Sequence, residues 1–168
     1  MLPTDNVTRL GDGSALVLPN TRPDAGRVVL DTNTVLDWLL FGEPLAVAVG
    51  TAIAEGQLRW LATPRIVAEL RSVLVRPLAA RWESTREHVL TIDVAPLITM
   101  CAEPAPAAAD HLICRDRNDQ VFIDLALAHS PTTLLTRDRA LLALRRRAAA
   151  RGVVITTASA WRPLPLAG

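Results

Sequence analysis

The chain has 168 residues, 50% of them hydrophobic and 21% charged, and a formal net charge of +1. That length suits one domain with a substantial core, and the apolar fraction excludes a chain disordered throughout. No run of about eighteen apolar residues escapes interruption by charge or proline, which excludes a membrane-spanning helix.

The balance of +1 hides an asymmetry. From Arg137 onward seven arginines accompany one acid, Asp138, a local charge of +6; before it eleven arginines meet sixteen acids, a charge of −5. All eighteen strongly basic residues are Arg. Its planar fork of donors suits phosphate, and a basic segment can mark a nucleic-acid surface, although genome composition could produce the same inventory. The opening MLPTDNVTRLGDGSALVLPN shows no basic stretch followed by an apolar one, so no secretory signal is read. Two cysteines, Cys101 and Cys114, are too few for a disulfide framework or a four-ligand zinc site, which suits a reducing cytoplasm.

Residues 1–26, rich in Gly, Pro, Asn and Asp, read as a flexible arm, or as one extra edge strand through the short apolar piece Ala15–Leu18. The folded domain, 27–168, opens with RVVLD, too short for a helix and dense in Val: a buried strand. Thr32-Asn33 is expected to cap a helix, TVLDWLLF, and EPLAVAVGTAIAEG a second one ending on Gly56. LRWLAT is the second strand. Thr63-Pro64 then starts a helix that runs to Pro77, and a charged helix follows around STREHVLTID. LITMCA reads as a third strand, Pro104 to Asp110 as a linker, and NDQVFIDLALAH as a helix. TTLLT is the fourth strand, RDRALLALRRRAAARG one helix ending on Gly152, and VVITTA the fifth strand.

Strands alternating with helices indicate an α/β domain with a mostly parallel sheet, whose ligands bind beyond the carboxyl ends of the strands where strand order reverses. Four acids stand out on that basis. Asp31 ends the first strand and Asp138 follows the fourth; either could simply cap the next helix. Glu69 falls on the shoulder of the stripe made by Ile66, Val67, Leu70, Val73 and Leu74, where a carboxylate could equally reach into water. Asp119, three residues before Phe122, lies on the buried face of its helix, with Asp116 and Asn118 competing for the cap. If the four converge, each bare pair at about 4 Å costs on the order of 4 kcal/mol at an effective dielectric of 20. Such a cluster needs a cation or bound protons. An all-oxygen set without His or Cys selects Mg²⁺ or Mn²⁺ over zinc, and in an open cleft beside arginines it suits phosphodiester hydrolysis.

RVVLDTN, the helix carrying VAEL, and RNDQVFIDLALAH followed by LLTRD resemble the PIN domain, and more narrowly the toxin components of bacterial toxin–antitoxin systems. The similarity runs from about Arg27 to Ala160. It implies a three-layer α/β/α fold with a mostly parallel five-stranded sheet in the order 3-2-1-4-5. It also implies a Mg²⁺- or Mn²⁺-dependent endoribonuclease, a cognate antitoxin and a homodimer. The family's acids fall on Asp31, Glu69, Asp119 and Asp138, with Asn33 and Thr136 at the supporting polar positions. Where relatives usually show an acid before the third ligand this chain has Asn118, so the choice of Asp119 over Asp116 rests on helix phase.

Arg137 and Arg139, flanking Asp138, are the candidates for phosphate contact. Arg145, Arg146 and Arg147 read as a solvated helix face, since three consecutive positions cover about 200° of a helix. The four tryptophans are expected in the core or a dimer interface, Cys101 is expected as a packed thiol, and His88, His111 and His129 lack ligand spacing. Asp37 and Asp124 read as acids beside the site. Two rivals remain: a PIN-like module that only binds RNA or protein, and another Mg²⁺-dependent phosphotransfer enzyme. The first strand ends in DTN and not in the D-x-D that a phosphoaspartyl enzyme would need, which weighs against the second.

Overall fold

The computed structural model describes residues 7–9, 15–17, 22–77, 79–105 and 112–162; most of the linker and His111 lie outside them. Strands β1 (Val7–Arg9) and β2 (Ala15–Val17) pair antiparallel as a sheet of their own, with Val7 opposite Val17. The apolar piece considered as an edge strand therefore pairs within the N-terminal segment and not with the main sheet.

The main sheet begins with β3 (Gly26–Leu30), in which Val28, Val29 and Leu30 are all buried because strands flank it on both edges and helices cover both faces. Helix α1 (Thr32–Leu39) is capped by Asp31 and not by Thr32-Asn33: the helix already includes both, and the extended Asp31 accepts the Asn33 N–H. Helix α2 (Pro44–Ala54) starts with Pro in its first turn under a Glu43 cap. After β4 (Leu58–Ala62), the Thr63 hydroxyl caps α3 (Pro64–Leu74). Helix α4 (Ala80–Thr91) begins ahead of the expected Ser84, where Trp82 packs edge-on against Phe41 at 5.0 Å. Strand β5 is confined to Ile98–Met100, shorter than LITMCA, since Ala95–Leu97 winds into a 3-10 turn around Pro96.

Then follow α5 (Gln120–Ala128), β6 (Thr132–Leu135), α6 (Arg139–Leu142), α7 (Arg145–Ala149) and β7 (Val153–Thr156). The single helix expected over 137–152 is broken at Ala143-Leu144. Across the break Leu141, Leu144 and Ala148 keep the spacing of one helix face, and all enter the core that holds Val153 and Ile155 of β7.

All pairs in the main sheet are parallel, in the order β5-β4-β3-β6-β7, which is 3-2-1-4-5 when its strands are counted along the chain. Alternate strand residues face opposite ways. Val29, Leu61, Leu134 and Ile155 meet α5, α6 and α7 on one face. Val28, Leu30, Trp60 and Leu135 meet α1, α2 and the apolar stripe of α3 on the other. Three layers result. Of the tryptophans, Trp60 is fully buried and meets Trp38 edge-on at 5.8 Å, while Trp82 and Trp161 are partly buried.

The second face has little slack. A Cβ added at Gly50 would run into the indole of Trp38, which is itself held against Trp60. Gly50→Ala removes a helix-weakening glycine worth about 1 kcal/mol, but the overpacking costs typically 1–3 kcal/mol. The difference is a net loss of about 0–2 kcal/mol. Because the added Cβ overlaps the indole outright, the upper half of that range is expected, read as a melting temperature lower by about 2–8 °C with a shifted tryptophan emission. An unchanged or higher melting temperature would show that Trp38 can move freely.

Candidate active site

The register between β3 and β6 pairs Val29 with Leu134 and Leu30 with Leu135. One step on, the Asp31 N–H donates to the Leu135 carbonyl at 3.1 Å, which brings Asp31 beside Thr136. From β3 the chain builds the sheet toward β4 on one side, and β6 leads to β7 on the other. This is the point of strand-order reversal, and a crevice opens beyond it.

Asp31 is only 3% exposed, yet both its oxygens are engaged. Oδ1 accepts the Asn33 N–H at 2.9 Å and Oδ2 accepts the Thr136 hydroxyl at 2.6 Å. The Thr136 oxygen in turn accepts the Asp138 N–H at 2.9 Å. Asp138 Oδ1 accepts from the N–H groups of Ala140 and Leu141, at 2.7 and 3.1 Å. Both strand-end acids are therefore helix caps. Capping does not remove their charge, and Asp138 commits only one of its oxygens to it.

Glu69 is half-buried on α3, as its shoulder position predicts, and its Oε1 accepts the Thr32 hydroxyl at 3.3 Å, next to Asp31. Asp119 precedes α5, half-buried and without a capping bond. Its carboxyl is pushed up to about 6, first by burial and then by the negative charges of Asp31, Asp138, Asp116 and Glu69. The Asp31 carboxyl is also raised: burial outweighs the lowering by Thr136 and Asn33, and the Asp138 charge adds to it. The four candidate acids thus act on one another across one crevice.

The remaining candidates divide. Asp116 is exposed and closes a turn by accepting the Asn118 N–H at 2.9 Å, while its charge reaches Asp119. Asn33 touches the site through its backbone N–H, and its side chain is exposed. Arg137 is held by Asp37, with Nε 2.9 Å from Oδ2 and Nη2 3.1 Å from Oδ1. Arg139 is exposed and lines a groove with Asp116 and Asp138. Thr32, which fixes Glu69, is a contributor the sequence reading did not assign, although its place one residue after Asp31 was a signal. Asp37 was read as an acid beside the site, but its hold on Arg137 had no signal, the partner being distant in the chain.

Among the described residues no three Asp, Glu, His or Cys side chains stand close enough together to hold one ion. The donor set still fits Mg²⁺ or Mn²⁺. Every donor is a hard oxygen, and the charges are held near one another with their repulsion visible in the raised Asp119 carboxyl.

A family model described as PIN domain matches residues 27–140. The chain belongs to the PIN domain family. No curated protein matches it. Among solved structures, the crystal structure of VapBC2 from Rickettsia felis bound to a DNA fragment from their promoter is similar in fold, with a TM-score of 0.51 and 12% identity. That likeness covers 77% of this chain and 96% of the other. PIN domains are generally nucleases that hydrolyse phosphodiester bonds and generally depend on divalent metal ions.

The raised Asp119 carboxyl has a consequence for this PIN domain's stability. The folded state holds a proton at Asp119 up to about pH 6, whereas an unfolded Asp releases it near 3.8. Stability therefore falls as pH rises through that window and stays lowered above it. Asp119→Asn is expected to flatten this slope and, at pH 7.5 with chelator, to raise the melting temperature by about 2–4 °C, allowing for solvent screening of a half-buried group. A melting temperature below wild type at that pH would mean that Asp119 is held by favourable contacts and not by repulsion.

Proposed function

We propose that this PIN domain is a metal-dependent endoribonuclease, the toxin of a toxin–antitoxin pair acting in the cytoplasm as a homodimer. The observation that carries the reading is the chain of hydrogen bonds that sets Asp31 and Asp138 on the two sides of Thr136 at the point of strand-order reversal. Glu69 is tied beside Asp31 through Thr32, and the Asp119 carboxyl is raised by burial and by their charges. A site holding that much unneutralised charge is built to be completed by a cation. In this reading Asp31, Glu69, Asp119 and Asp138 would hold one or two Mg²⁺ or Mn²⁺ ions. When bound, such ions lower the pKa of water and stabilise charge on the phosphoryl oxygens.

The chain's own residues then have distinct tasks. Thr136 orients Asp31 through its hydroxyl and receives the Asp138 N–H, so one side chain sets the spacing of two ligands. Thr32 performs the same service for Glu69. Asp119, half-buried and affected first by that burial and then by the charge of Asp31, fits the third ligand better than the exposed Asp116, which shapes the turn before it. Arg139 beside Asp138 would steady the RNA phosphate, with Arg137 joining once released from Asp37. The likeness to VapBC2, solved on a fragment of their promoter, is in keeping with an antitoxin partner.

A second reading, a PIN module that binds RNA or protein without cutting it, is favoured by one observation. The donors as they stand are too far apart for three of them to share an ion. Incubating purified protein with single-stranded and hairpin RNA in Mn²⁺ or Mg²⁺, with and without chelator, separates the two. Cleavage that is abolished by chelator and by Asp31→Asn is expected, with the variant's circular dichroism unchanged because Asn caps a helix as well as Asp. Binding without cleavage would leave the second reading standing.

Thr136→Val gives a graded result. Removing the hydroxyl that orients Asp31 should lower cleavage by about 10–100-fold. Thr136→Ser should restore most of it, since only the hydroxyl is needed. Equal activity in the Val and Ser variants would deny Thr136 its orienting role.

A further inference from the structure

Beside the carboxylates lies a groove of about 640 Å³ lined by Arg115, Arg117, Arg139, Ile113, Asp116 and Asp138. A smaller depression of about 350 Å³ continues it, sharing Arg139 and Ala143 and adding Arg145 and Arg146. All five arginines are exposed. The ion pairs among the described residues, Arg86 with Glu83 and Arg137 with Asp37, use none of them. Asp116 and Asp138 are the acidic residues that line the groove, and Asp138 is shared with the carboxylate site, while the smaller depression is lined by no acid.

The loop forming one wall is pinned. Gln120 Oε1 accepts the Cys114 N–H at 2.7 Å, and its Nε2 donates to the Leu112 carbonyl at 2.8 Å and to Asp124 Oδ1 at 2.8 Å. One amide thus holds both edges of residues 112–114, with Asp124 fixing which way the amide faces. Arg115 and Arg117 project from the chain just beyond this clamp, and Ile113, 68% exposed, offers an apolar surface between them. Arg139, Leu142, Ala143 and Arg146 recur at the spacing of one helix face, and together with Arg145 they line the smaller depression.

We propose that this continuous groove is the track for one flanking arm of the RNA strand. Arg115, Arg117, Arg139, Arg145 and Arg146 engage successive phosphates leading away from the carboxylates, and Ile113 supports a base. This rests on the nuclease reading for the identity of the strand. The requirement is chemical: fork-shaped, uncommitted guanidinium groups spaced along a groove recognise a chain of phosphodiesters. Asp138, shared with the carboxylate site, ties the groove to the place of cutting, and the arginines supply the holding.

The test measures binding of a labelled single-stranded RNA of about 15 nucleotides. Full-length protein in an Asp31→Asn background keeps the RNA intact, and salt is varied. Arg115→Ala with Arg117→Ala, and separately Arg145→Ala with Arg146→Ala, should each weaken binding about tenfold. Each pair should also reduce the slope of log affinity against log salt by about 0.7–1.4, as expected for one or two lost phosphate contacts. Arg76→Ala with Arg81→Ala, exposed but outside the groove, should stay within about twofold of the parent.

If wild type does not cleave RNA yet the groove pairs lose binding as described, the track stands and the nuclease reading falls. If wild type cleaves but the groove pairs bind as tightly as the control, the track falls and the nuclease reading stands. Displacement of the RNA by polyglutamate as effectively as by unlabelled RNA would overturn the proposal in favour of an acidic protein segment.

Discussion

The pairing of Leu30 with Leu135 is the constraint on which the site depends. It sets Asp31 next to Thr136, and the 2.6 Å hydrogen bond between them is what allows a carboxylate to sit 3% exposed at the end of a strand. A slip of one residue would face Asp31 with Arg137 and turn every β6 side chain to the opposite layer. Leu134 and Leu135, each buried in a different core cluster, oppose that slip. Packing therefore fixes a register whose chemical product lies one residue beyond the packed stretch.

The strand-end acids serve the fold and the site at once, and the two uses conflict. As caps, Asp31 and Asp138 satisfy backbone N–H groups at the starts of α1 and α6, worth typically about 1 kcal/mol each. As neighbours they repel, and both raise the Asp119 carboxyl. A helix start favours negative charge, which eases the placement of Asp31 without cancelling its effect on Asp119. The conflict is tolerated because each cap can be made with charge to spare. Asp138 gives Oδ1 to two N–H groups and keeps Oδ2 uncommitted among the described residues.

Much of this arrangement is legible in the sequence because it depends on short-range rules. Val-rich runs bounded by turns became β3 and β7, and the phase of α3 predicted a half-buried Glu69. Strand order and the meeting of Asp31 with Asp138 came through the resemblance to a known fold, and the coordinates agree with both. What escaped depends on contacts across the chain. Of the two caps the sequence left open for α1, Asp31 is the one used, because the strand ends at Leu30, a boundary set by pairing with β6. The helix over 137–152 is interrupted at Ala143-Leu144, where the Leu144 N–H turns back to the Leu141 carbonyl, and nothing in the local sequence marks that step. No sequence signal marks Gln120, and only the folded loop reveals its amide as a clamp.

The Asp37–Arg137 pair explains why the crevice keeps its charge. Arg137 sits between Thr136 and Asp138, where a free guanidinium would be the natural counterion for both strand-end acids. Asp37 instead holds it through two contacts near 3 Å. It lowers the Asp31 carboxyl, but as the last of the influences on it, and it has no part in the shift at Asp119. A basic residue adjacent in sequence to the acids is thus kept from neutralising them. The negative crevice therefore keeps its charge where the arginine-lined groove meets it at Asp138, as a divalent ion beside a phosphate chain would require.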